Sequence, residues 1–141
     1  MAKKKTILTR EGVYRDARFA LPDVKSQPIS WRFSRMDTEG PFAFAKLKPS
    51  TWRKILAKMK DWESMKWGEL MGKRDHEIPV DRLSKPAQER LMELKLDDID
   101  SVCSIHMDGR SRFFGIRLGG IFHVLWWDSN HQVCPSTKKY T

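Results

Sequence analysis

Five side chains in the last third of the chain are of types that handle phosphate: His106, Arg110, Arg112, Arg117 and His131. A guanidinium is permanently charged and binds phosphate through two parallel N–H bonds. An imidazole exchanges a proton near neutral pH, which general acid or base work requires. Phe113 and Trp126 lie among them and offer flat rings for stacking on bases. Together these types suit binding of a phosphodiester and, through the histidines, its cleavage. Structural roles are open to the same residues. Arg117 can stack on Trp126 or pair with Asp128, His106 can be an ordinary strand histidine, and Asp128 can cap the Ser129-Asn130 turn or orient His131.

Other chemistries fit less well. His131 and Cys134 have a His-x2-Cys spacing, but a zinc site needs four close ligands, and no spacing gathers Cys103, His76, Asp75 or Asp128 around that pair. Asp97, Asp98 and Asp100 are ligand types for magnesium, yet no second acidic motif accompanies them. A solvated helix end, or an acidic patch for the chain's own basic arm, accounts for them more economically. Cys134 is followed by Pro135 and has no base fixed beside it. A Gly-rich phosphate loop, a Ser-His-Asp set and a dinucleotide fingerprint are all missing from the sequence. No metal and no cofactor is expected.

A double hairpin from Ser101 to Pro135 must position the five residues. Asp108-Gly109 and Gly119-Gly120 are two-residue turn signals between β-rich runs. Counting outward from two-residue loops pairs Met107 with Arg110, Ile105 with Arg112 and Cys103 with Phe114. In the second hairpin it pairs Leu118 with Ile121, Ile116 with His123, Phe114 with Leu125 and Arg112 with Trp127. One face then carries Cys103, Ile105, Phe114, Ile116, Leu125 and Trp127 and is the expected core face, with His123 as a core histidine. The other carries His106, Phe113, Arg117, Phe122, Trp126 and Asp128, and is expected to stand open to a ligand.

Upstream, residues 1–28 read as a basic arm interrupted by Pro22 and Pro28. Ile29 to Arg35 alternates as a strand with Trp31 and Phe33 inward. Ser50 or Thr51 can cap a helix whose apolar stripe runs Trp52, Ile55, Leu56, Met59 and on through Trp62 and Met65 to Leu70. A charged loop, Lys73 to Pro79, follows. Ser84 and Pro86 open a second helix striped by Ala87, Leu91 and Leu94. The expected fold is a single α+β domain over 29–141: a two-layer arrangement, with an antiparallel sheet and two helices packed on one of its faces.

The chain has 141 residues, 40% of them apolar, enough for one core. No apolar run approaches the roughly 18 residues of a membrane helix, and no membrane partner is expected. Two cysteines point to a reducing cytoplasm. The net charge of +9 is concentrated: residues 1–60 hold 15 Lys/Arg against 5 Asp/Glu. A partner bearing phosphates is the natural reading, with solvated tails as the bland one.

The order β-α-α-β-β-β, a basic open sheet face and a C-terminus bearing His131, Lys138 and Tyr140 resemble the RelE/ParE-like toxin superfamily. The segments 62–69 and 96–100, and Leu125-Trp126-Trp127-Asp128 with Val133-Cys134-Pro135-Ser136, are similar to a family of small bacterial proteins with no established activity. The first resemblance implies RNA or the ribosome as target, an antitoxin-like protein partner and metal-independent cleavage that inhibits translation. Its matching positions are Arg112, Arg117, His131, Lys138 and Tyr140. Taken with the residue types above, Arg117, His106, His131 and Tyr140 are the expected catalytic groups, and Arg110, Arg112, Phe113, Trp126, Lys138 and Lys139 the expected RNA contacts. The alternative is a binding module without catalysis, using the same sheet face for nucleic acid or protein.

Overall fold

The computed structural model describes residues 24–71 and 76–135, and the backbone of 6–8 and 14–16. Thr6–Leu8 (β1) and Tyr14–Asp16 (β2) pair antiparallel; the rest of residues 1–23 lies outside the described residues. The main sheet has five strands: Ser30–Arg32 (β3), Glu77–Pro79 (β4), Ser101–His106 (β5), Arg112–Leu118 (β6) and Ile121–Asp128 (β7). Their order across the sheet is β3-β7-β6-β5-β4. β3 runs parallel to β7 and the other pairs are antiparallel. The sheet is therefore mixed and not wholly antiparallel as expected, because side-chain alternation marks a strand without giving its direction. β4 forms inside the stretch read as a charged loop. The strand expected from Ile29 to Arg35 is only three residues long, and Phe33 beyond it is 47% exposed.

The β5–β6 turn departs from the two-residue count. Ser111 N–H donates to the Asp108 carbonyl and Met107 N–H to the Ser111 carbonyl, so the loop closed by the Met107–Ser111 pair has three residues, 108 to 110. His106 consequently faces Arg112, Ile105 faces Phe113 and Cys103 faces Gly115. One added residue turns β5 over relative to β6. The β6–β7 turn does keep the short count, pairing Leu118 with Ile121 and Ile116 with His123. Its register then slips at a bulge between Phe114 and Gly115, so that Phe114 faces Trp126 and Phe113 faces Trp127. Gly115 is required there, since a Cβ would run into the Phe122 ring and the His123 carbonyl.

These registers produce two cores. Cys103, Ile105, Phe113, Phe122, Val124 and Trp127 pack with Ile55, Met59 and Trp62 of Pro49–Glu63 (α1) and with Trp67 of Trp67–Met71 (α2). Phe113 has no exposure and is ringed by Trp31, Phe44, Trp62 and Phe122, with centroids 5.4–6.2 Å away. Such pairs add about 0.5–1.5 kcal/mol each beyond burial. Val102, Phe114 and Trp126 point the other way and pack with Ala87 and Leu91 of Lys85–Glu93 (α3). The chain is thus an α+β domain with its helices packed on the sheet, α1 and α2 over one face and α3 over the other.

The helix starts follow local chemistry. Pro49 occupies the first position of α1, where its missing N–H costs nothing, and Lys48 before it makes no side-chain cap. The expected cap at Ser50 or Thr51 is therefore not used. Ser84 caps α3 by accepting the Ala87 N–H at 3.4 Å, as expected. α3 ends at Glu93, and Lys95 turns the chain with φ of 59°. Asp97, Asp98 and Asp100 lie beyond that end, clear of the negative pole of the helix dipole.

Candidate nucleic-acid interface

The sequence-predicted site residues do not share one surface. Phe113 and Trp126 are fully buried, on opposite sides of the sheet, and neither can stack on a base in this fold. That corrects the expectation of an open face bearing both: the bulge puts the two rings on opposite faces, and helices cover both faces where they were expected on one. Trp126 instead donates its indole N–H to Asp37 Oδ2 at 2.9 Å.

Asp37 anchors a buried network. Arg90 of α3 grips it with Nε on Oδ2 and Nη2 on Oδ1, both at 2.8 Å, and the Glu39 and Gly40 N–H groups donate to Oδ1. Burial by itself would raise the Asp37 carboxyl. The bonds from Arg90, Gly40, Trp126 and Glu39 outweigh it and hold the group well below the ordinary carboxylate range. No spacing in the sequence connects residues 37 and 90.

Arg117 is likewise engaged. Its Nε lies 3.3 Å from Glu77 Oε1 in β4, and its guanidinium sits 5.7 Å from the Trp67 ring centroid. Ser101 Oγ donates to the other Glu77 oxygen at 2.9 Å. The geometry ties β6 to β4 and α2 and commits the Nε edge of the guanidinium to Glu77.

Four other expected residues gather at the end of the sheet formed by the β5–β6 turn. His106 is exposed and places Nε2 3.0 Å from the Gly109 carbonyl; Arg112, across from it, donates Nη1 to that same carbonyl at 3.1 Å. Burial lowers the Arg112 pKa, and Asp128 across the strand pair pulls it back up. Arg110 is exposed and donates Nη1 to Asn130 Oδ1 at 3.1 Å, which brings the His131 loop alongside. His131 adopts a left-handed φ of 56°. Asp128 accepts the N–H groups of Asn130, Gln132 and Val133, confirming its turn role. Lys138, Lys139 and Tyr140 lie outside the described residues.

The strongest electrostatic feature was visible in the sequence only as a regional charge bias. Between residues 46 and 60 there are six cations, Lys46, Lys48, Arg53, Lys54, Lys58 and Lys60, and no carboxylate. All six are exposed, and none has an ion-pair partner among the described residues. The helical period explains the last four: Ile55, Met59 and Trp62 turn inward and leave Arg53, Lys54, Lys58 and Lys60 on the outer arc of α1. Phe44 joins this region to the sheet end, touching Trp52 of α1 (5.2 Å) and Phe113 (5.4 Å), two residues from the turn.

Among the described residues, no three His, Cys, Asp or Glu side chains stand close enough to hold a metal ion. No helix among them is long and apolar enough to cross a membrane. His123 is buried as expected, opposite Ile116, and its Nδ1 has no hydrogen-bond partner. The chain matches no protein-family model, no curated protein and no solved structure.

Proposed function

We propose that this protein binds RNA through the outer arc of α1 and the adjoining β5–β6 turn. The observation that carries the reading is the run of six exposed cations without a carboxylate between residues 46 and 60. Concentrated, unneutralised positive charge attracts a polyanion over roughly a Debye length, and each phosphate it meets releases condensed counterions. Arg110 and His106 extend the surface to the end of the sheet.

A toxin-like endoribonuclease is the second reading, and it rests on one arrangement. His106 and the His131 loop flank Arg110 and Arg112 at the same end of the sheet. In that scheme one imidazole takes the proton of an RNA 2′-hydroxyl as its oxygen attacks the neighbouring phosphorus. The bond to the 5′-oxygen breaks, and the other, protonated, imidazole gives that oxygen a proton. Arg110 balances the charge developing on the phosphorane oxygens. Arg117 has no part in it, since Glu77 and Trp67 hold its side chain.

Purification from a bacterial host tests the binding reading. Ribonuclease-sensitive nucleic acid is expected to accompany the wild type and to be lost when Arg53, Lys54, Lys58 and Lys60 are all changed to Gln. Equal RNA in both preparations contradicts it. Following growth and translation during the same induction tests the toxin reading, which requires arrest by the wild type and relief by His106→Ala.

A further inference from the structure

The ligand class follows from what this surface lacks as much as from what it carries. Single-stranded nucleic acid is generally held by a cationic groove together with exposed rings on which successive bases stack. Here the rings face one another. Trp52 lies on Phe44, Trp31 meets Trp62, Phe113 and Phe122, and Trp67 meets Phe122 while donating its N–H to the Gly120 carbonyl. Phe33 is the one aromatic ring among the described residues that is largely exposed. Among the described residues, the outer arc of α1 therefore presents charge without a stacking platform.

The kind of charge narrows the class further. Five of the six cations are lysines, compact point charges that contact phosphate oxygens without the bidentate fork that reads guanine edges. Arg53 to Lys60 advances about 10 Å along the helix axis. The helix fixes the backbone positions from which these four charges reach out, and such spacing suits a backbone whose phosphates are themselves held in fixed positions, whereas an unpaired strand has no such order. Paired RNA is recognised mainly in this way, by shape and by phosphate and 2′-hydroxyl contacts, largely without regard to sequence. We infer that the outer arc of α1 docks the phosphate backbone of base-paired RNA. This inference rests on the RNA-binding reading and specifies the form of RNA.

The test uses the full chain and three probes: an RNA hairpin with a stem of about 16 base pairs, the span of a shape-reading domain, an unpaired oligouridine of equal phosphate count, and a DNA duplex of the stem sequence. The hairpin is expected to bind roughly tenfold more tightly than the oligouridine at equal salt. The variant with Arg53, Lys54, Lys58 and Lys60 changed to Gln is expected to lose that preference, while Phe33→Ala leaves it unchanged. Circular dichroism of the variant establishes that it is folded. Oligouridine bound as tightly as the hairpin, a preference for the DNA duplex, or an unchanged preference in the Gln variant overturns the inference while leaving RNA binding itself standing. Failure of the wild type to bind any of the probes overturns both.

Discussion

Two sets of cations in this protein differ in what they meet. Arg90 and Arg117 each face a carboxylate: Arg90 lies 2.8 Å from Asp37, and Arg117 lies 3.3 Å from Glu77. The six cations between residues 46 and 60 face solvent. Residue type is shared between the sets, and arginine is the better phosphate ligand of the two types. What separates them is prior engagement. A guanidinium already bonded to a carboxylate and stacked on an indole must lose both contacts before it can take a phosphate, whereas a solvated lysine loses only water. Free charge, more than residue identity, distinguishes the binding surface from the framework.

The comparison breaks most sharply at Asp37. Removing this carboxylate leaves the Arg90 guanidinium, the Trp126 indole N–H and two backbone N–H groups without their acceptor. Asp37→Ala is expected to destabilise the fold by about 3–5 kcal/mol in urea unfolding, the cost of breaking a buried pair. A loss below about 1 kcal/mol would mean the network is not a structural lock. Arg117→Ala belongs to the same set but with less burial, since both partners are about a third exposed. About 1 kcal/mol is expected for it, with no change in RNA affinity.

A smaller effect is expected from His123, which belongs to the framework and titrates. Burial, then Arg35 and Arg32, hold its pKa below the ordinary value. The unfolded chain therefore takes up the proton first. This residue's contribution is complete above about pH 6.5 and is lost as the pH falls below that value. Melting temperature should decline from pH 7 to pH 5, and His123→Leu should flatten that slope. Asp37 is also held below its ordinary value, by the hydrogen bonds it accepts and in spite of burial, and its contribution disappears only as the pH falls below about 4. An undiminished slope in His123→Leu would remove His123 from this account.

Some of this was legible in the sequence. The stripes Ile55-Met59-Trp62 and Ala87-Leu91, the Ser84 cap and the short Gly119-Gly120 turn are local patterns, and the fold uses each of them. The site was less legible because its faces depended on counting. One extra residue in the Asp108 turn reversed β5, and one bulge at Gly115 moved Phe113 and Trp126 into separate cores. Period-two structure magnifies a single-residue error into a change of face. The Asp37–Arg90 pair spans 53 positions, and no local signal announces it. The cations of α1 were legible only within the basic bias of residues 1–60, because lysines on a helix are most often just its solvated side.

The measurement that bears most directly on the account is the salt dependence of RNA affinity for the wild type and for the variant with Gln at positions 53, 54, 58 and 60. If these four charges contact phosphate, the slope of log K against log salt should fall in magnitude by about 3 in the variant. Arg117→Ala should leave that slope unchanged. Equal slopes for the wild type and the four-Gln variant, or a loss confined to Arg117→Ala, would contradict the account.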